Sequence, residues 1–176
     1  MLSPALQDAL SEHLTYEHAA ALTYLAMASY FEESNLPGFA GWMRAQYEDE
    51  LAHAARFFDF IHQRGGRVRL GAIPEPPQDW ESPLQVFGHA HEQECSVSAR
   101  INTLVDLALK ESDHATNAFL QWFVKEQVEE EAVTSEVAGQ LKLIGSDGPS
   151  ILMMDRQLAA RKPTTIIGSP PDALQA

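Results

Sequence analysis

The chain has 176 residues, with 25 Asp plus Glu against 12 Lys plus Arg and a formal charge of −13 with histidine neutral. That balance excludes an ordinary nucleic-acid binder, because phosphate backbones are held by clustered Lys and Arg that release counterions, and it points to a cationic partner. The single Cys95 allows neither an internal disulfide nor a zinc ribbon. No segment approaches the ~18 uncharged apolar residues of a membrane span, and Met1-Leu2-Ser3-Pro4-Ala5 lacks a basic stretch followed by an apolar run. A cytoplasmic protein without membrane contact is expected.

Proline and periodicity divide the chain. Apolar residues at alternating steps of three and four mark a helix that buries one stripe. Leu10, Leu14, Ala21, Tyr24, Ala28 and Phe31 predict a first helix over about 5–34, and Asn35-Leu36-Pro37-Gly38 a tight turn. Ala40, Met43, Tyr47, Ala54, Phe57 and Ile61 predict a second over about 38–65. From Gly66 to Ser82 run 17 residues that include Pro74, Pro76 and Pro77. Extended, such a segment reaches about 55 Å, enough to run the ~40 Å length of a helix and return the chain to its starting end. Phe87, Ala90, Val97, Ile101, Leu104 and Ala108 predict a third helix over about 83–111, Ser112-Asp113 a turn and N-cap, and Leu120, Phe123, Val137, Leu141 and Ile144 a fourth over about 113–144. Pro149 opens a short fifth helix, about 149–161, apolar on too many sides to lie on one bundle in water, so it is expected to pack against copies of itself. Residues 162–176 read as a flexible tail. The expected architecture is all-α: a four-helix bundle with one long crossover and a short fifth helix, in one domain over 1–161.

Each long stripe is interrupted once by a carboxylate: Glu17, Glu50, Glu94 and Glu130. Carboxylates facing one another in a core need protons, cations or water. In an antiparallel hairpin, residues equidistant from the turn lie level. By that rule Glu17 sits level with Glu50 to His53, and Glu94 with Gln127 to Glu130. Moreover 17 and 94, 50 and 127, and 53 and 130 each differ by 77. One Glu per half plus ligands at i and i+3 on a second helix is the pattern of a carboxylate-bridged dimetal site. Oxygen donors with one nitrogen suit iron better than a thiolate zinc site, and Gln127 in a carboxylate slot predicts two inequivalent positions.

Several elements have plainer readings. Glu50-x-x-His53 alone occurs easily on a surface helix, and Glu126, Glu129, Glu130 and Glu131 could be a solvated face, although like charges at i+3 and i+4 repel by ~0.2–0.5 kcal/mol per pair without a counter-ion. Tyr24, one heptad beyond Glu17, also reads as a core aromatic. Cys95, beside Glu94, reads as a packing residue, and His13, His18, His62, His89, His91 and His114 have no matching partners at that height and read as surface or packing residues.

With Glu17, Tyr24, Glu50-x-x-His53, Glu94 and the run Trp122 to Glu131 quoted together, the chain resembles the non-haem bacterial ferritins of the ferritin-like diiron superfamily from about Leu6 to Arg161. The resemblance implies a ferroxidase that oxidises Fe(II) with dioxygen at an intra-subunit diiron centre and stores a ferric mineral inside a homo-oligomeric cage of 24 subunits. It implies that Glu17, Glu50 and His53 bind the first iron and Glu50, Glu94 and Glu130 the second, with Gln127 as a ligand or hydrogen-bond partner. It further implies a third iron site at Glu126, Glu129 and Glu130, where Asp49 replaces the usual Glu, and a redox or proton role for Tyr24. Ala52, where a haem-binding bacterioferritin would carry Met, argues against haem. A non-storage diiron oxidase or bacterioferritin-like protein and a metal-free helical scaffold remain as alternatives.

Overall fold

The computed structural model describes residues 1–160; the tail expected over 162–176 lies outside them. Five helices follow one another, with no strand among the described residues: α1 (Pro4–Glu33), α2 (Pro37–Gln63), α3 (Pro83–Lys110), α4 (His114–Ile144) and α5 (Gly148–Leu158). None is long and apolar enough to cross a membrane. They fall into two compact units, residues 1–79 with residues 152–160, and residues 80–151.

Local chemistry sets the helix ends. Pro4, Pro37 and Pro83 open α1, α2 and α3 at positions where a missing N–H costs nothing. Ser3 and Ser82 accept the N–H groups of Leu6 and Gln85 through their hydroxyls, and Asp113 accepts that of Thr116. The exits share one motif. Asn35, Gly65 and Ser112 take positive φ, and the next residue's N–H returns five positions to Phe31, Ile61 and Ala108 respectively. That closure satisfies carbonyls the helix leaves orphaned.

In the first unit α1 pairs with α2. Leu10, Leu14, Tyr24, Met27 and Phe31 from α1 and Phe39, Trp42, Met43, Phe57 and Ile61 from α2 are all buried. Phe31 stacks on Phe39 beside the turn, ring centroids 4.9 Å apart, and Tyr24 meets the Trp42 ring edge-on at 6.5 Å. Beyond α2 the extended chain follows α1. Backbone N–H groups of Arg67, Arg69 and Gly71 donate to the side chains of Gln7, Ser11 and Thr15 at 2.9, 3.3 and 3.1 Å. Alternate residues of a strand share a side and every fourth residue of a helix shares a face, so the two repeats run in step.

In the second unit α3 pairs with α4 through Phe87, Val97, Ile101, Leu104, Leu120, Phe123 and Val137, all buried.

The fifth helix departs in part from expectation. Met154 and Asp155 are buried against their own chain, whereas Leu152 and Met153 stay exposed. Leu152 and Met153 are the part of its apolar face left for anything else to cover.

Candidate metal centre

α1 and α2 each bring carboxylates into their shared interior. Glu17 is fully buried, and Glu50 and His53, one turn apart on α2, are 2% exposed. One ligand atom from each lies within 4.8 Å of the other two. His53 Nδ1 stands 3.3 Å from Glu50 Oε2, which orients the ring against the carboxylate on its own helix.

Burial alone would raise the Glu17 carboxyl above its ordinary value of 4.5. The neighbouring His13 and His53 outweigh it, through charge and contact, and hold the group at about 2. Glu17 is therefore an anion in the metal-free protein at neutral pH, stabilised chiefly by the neighbouring imidazoles.

His13 corrects the sequence reading. It is neither a surface nor an ordinary packing residue: it is 2% exposed, with Nε2 2.8 Å from Glu17 Oε1 and its ring against Phe57. Its spacing of four from Glu17 is the same one-face rule that singled out Glu50 and His53, and that signal was present in the sequence.

The second unit gathers its own acidic residues. Glu94 is fully buried, and Gln127 and Glu130 are nearly so. The Gln127 amide donates to the Glu94 carboxylate at 3.1 Å and to the Glu94 carbonyl at 3.2 Å, so its N–H groups hold Glu94. Glu130 is placed by its helix, and its carbonyl accepts the Thr134 hydroxyl at 2.7 Å. Of the residues expected at a third site, Asp49 is buried, Glu126 half-buried and Glu129 exposed. Tyr24 is completely buried.

Cys95 is exposed, contrary to a packing role, with Sγ 3.7 Å from His91 Nε2. His91 also meets the Thr134 hydroxyl at 3.2 Å, and His89 accepts the Trp80 indole N–H at 3.2 Å. Partial desolvation and the carboxylates of Glu131 and Glu94 push the Cys95 thiol up.

Residues 7–144 match the ferritin family, described as a ferritin-like domain. The chain belongs to the ferritin family. Bacterial non-heme ferritins from Bacteroides fragilis (strain 638R) and Staphylococcus saprophyticus are 41% and 38% identical to it over 161 residues, 92% of this chain and 100% and 96% of theirs. An open-pore ferritin from the hyperthermophilic archaeon Archaeoglobus fulgidus superposes with a TM-score of 0.91 at 46% identity, covering 92% of this chain and all of that one. Its fold class is accordingly the all-α four-helix bundle of the ferritins, closed by a short fifth helix.

Proposed function

We propose that this ferritin oxidises ferrous iron with dioxygen at a dinuclear centre formed by Glu17, Glu50, His53, Glu94, Gln127 and Glu130, and stores the ferric product inside a cage of 24 copies. Iron storage and ferroxidase activity are the properties of its family. The observation that carries the centre is the convergence of three buried donors, Glu17, Glu50 and His53, within 4.8 Å. Buried carboxylates facing one another are costly without cations, and ferrous ions relieve that cost while being held in reacting position.

The chain's side chains divide the work. Glu17, Glu50 and His53 would hold the first ion, and Glu50, Glu94 and Glu130 the second. Gln127, donating to Glu94, fixes the direction of that carboxylate. Each ferrous ion gives up one electron, and two electrons pass to one dioxygen. Tyr24, buried one heptad beyond Glu17, is proposed as an electron or proton donor to this reaction. Asp49, Glu126 and Glu129 are proposed to take a further ion beside Glu130. No haem is needed. The exposed Leu152 and Met153 on α5 suit contact with other copies in the cage, and a cytoplasmic setting is proposed.

Stopped-flow absorbance after mixing two ferrous ions per chain with oxygen tests the centre. Glu130→Ala should lose the fast phase by orders of magnitude while the particle stays assembled; an unchanged fast phase would rule out the assignment. A particle near 470 kDa, 24 copies of the 19.5 kDa chain, is expected on size exclusion, and a monomer or dimer would rule out the cage.

A further inference from the structure

Among the described residues the buried histidines are His53 and His13. His13 stands one turn before Glu17 on α1, and its Nε2 lies 2.8 Å from Glu17 Oε1. Yet neither ring nitrogen, and neither Glu17 oxygen, has a hydrogen-bond partner among the described residues. The contact is close but misaligned: an imidazole N–H that merely oriented the carboxylate would point at it. The ring is also hemmed in, 4.7 Å from Phe57 and 6.4 Å from Tyr16 between centroids.

One arrangement satisfies both groups. Two donors in adjacent positions on a six-coordinate cation, each about 2.1 Å from it, sit roughly 3 Å apart. Each lone pair then aims at the ion, about 45° away from the other donor, so the pair is close without being aligned for a hydrogen bond. On a tetrahedral ion the same bond lengths set the donors about 3.4 Å apart. Both the 2.8 Å separation and the misalignment match the six-coordinate case.

We propose that His13 is a nitrogen ligand to the metal held by Glu17, so that the α1–α2 half of the centre supplies His13 and His53 beside Glu17 and Glu50. This rests on the metal-centre reading above. A neutral imidazole adds affinity without burying another negative charge, and makes this half richer in nitrogen than the half carrying Glu94 and Glu130. Ions that favour imidazole over carboxylate should fill it first.

The assembled, metal-free protein is loaded with one copper(II) ion per chain, an ion that favours imidazole, and pulsed electron paramagnetic resonance counts the imidazole nitrogens coupled to it. The wild type should show two inequivalent imidazoles, His13→Gln only that of His53, and His53→Gln only that of His13. Zn(II) affinity, by calorimetry, should fall in His13→Gln by at least the roughly 10- to 100-fold that loss of a partner outside the coordination sphere already costs. A single imidazole in the wild type overturns the proposal, and decides it even if His13→Gln does not assemble. So does weaker zinc binding with unchanged couplings, since His13 would then position Glu17 from outside the coordination sphere. Glu50→Ala separates the two readings. If it leaves zinc affinity unchanged, the centre itself is wrong; a site that depends on Glu50 and ignores His13→Gln refutes only the role of His13.

Discussion

The carboxylate of Asp155 accepts the backbone N–H of Phe39 at 2.9 Å, tying α5 to the start of α2 across 116 residues of chain. Leu36, at the N-cap of α2, has no side-chain oxygen, and Phe39 occupies the position whose N–H a capping Ser or Asp would take. Asp155 supplies that oxygen from a distant helix. Gly38 makes room for it, because a Cβ there would lie 1.7 Å from the Asp155 carbonyl oxygen.

Asp155→Ala should therefore cost about 1–2 kcal/mol, the worth of a lost cap, and loosen α5. Gly38→Ala should displace α5 outright, since backbone cannot yield as a flexible side chain would. Thermal unfolding and limited proteolysis check this. Cleavage near residues 145–148 should appear first in Gly38→Ala, and equal resistance in both variants and the wild type would refute the tie.

Acid should weaken the metal-free protein through Glu17. Its folded value of about 2 lies below the ordinary 4.5, so the ionised group stabilises the fold fully above pH 4.5. That contribution fades as pH falls from 4.5 toward 2. With 1.36 kcal/mol per unit it amounts to about 3 kcal/mol at neutral pH. Urea unfolding of metal-free Glu17→Gln should show a deficit at pH 6 that shrinks through this window. A deficit independent of pH would mean that the pairing with His13 and His53 is absent.

Gln127→Glu should separate folding from metal binding. The amide that donates to Glu94 at 3.1 Å becomes a second carboxylate, and like charges at that distance cannot both ionise cheaply. The metal-free variant should melt lower than the wild type, and Zn(II) should raise its melting temperature by more than it raises that of the wild type. A smaller metal-induced rise would place Gln127 away from the bound ion.

Cys95 offers a reporter of the second unit. Partial desolvation and the carboxylates of Glu131 and Glu94 disfavour its thiolate, so alkylation by iodoacetamide at pH 8 should be slower than for an unhindered thiol. Neutralising Glu94 with a divalent ion removes part of that repulsion. The reaction should then accelerate on adding Zn(II), and an unchanged rate would show that the ion does not reach Glu94.

Much of this was legible in the sequence because helices encode depth as spacing. The turn at Asn35 makes Glu17 level with Glu50 and His53, and the turn at Ser112 makes Glu94 level with Gln127, by counting alone. What counting could not give is rotation about single bonds. Whether the Gln127 amide faces Glu94, or the His13 ring faces Glu17, depends on side-chain torsions set by neighbours such as Phe57. Distant caps were equally hidden: nothing near Leu36 announces that its missing oxygen arrives on Asp155. The fifth helix showed the limit of composition, since its run of four apolar residues did not reveal that Met154 would turn inward while Leu152 and Met153 stayed outside.

The ladder between the extended segment and α1 behaves as a vernier scale. Two residues of strand advance about 6.6 Å, while four residues of helix advance about 6 Å. The rungs at Gln7, Ser11 and Thr15 thus drift apart slowly, and the next one, at Ala19, has no side-chain oxygen to offer. Adding a single residue between Arg67 and Gly71 would turn alternate N–H groups outward and break every rung beyond it, whereas added length after Gly71 meets no such register. Changes of chain length in relatives of this protein should gather between residues 72 and 81.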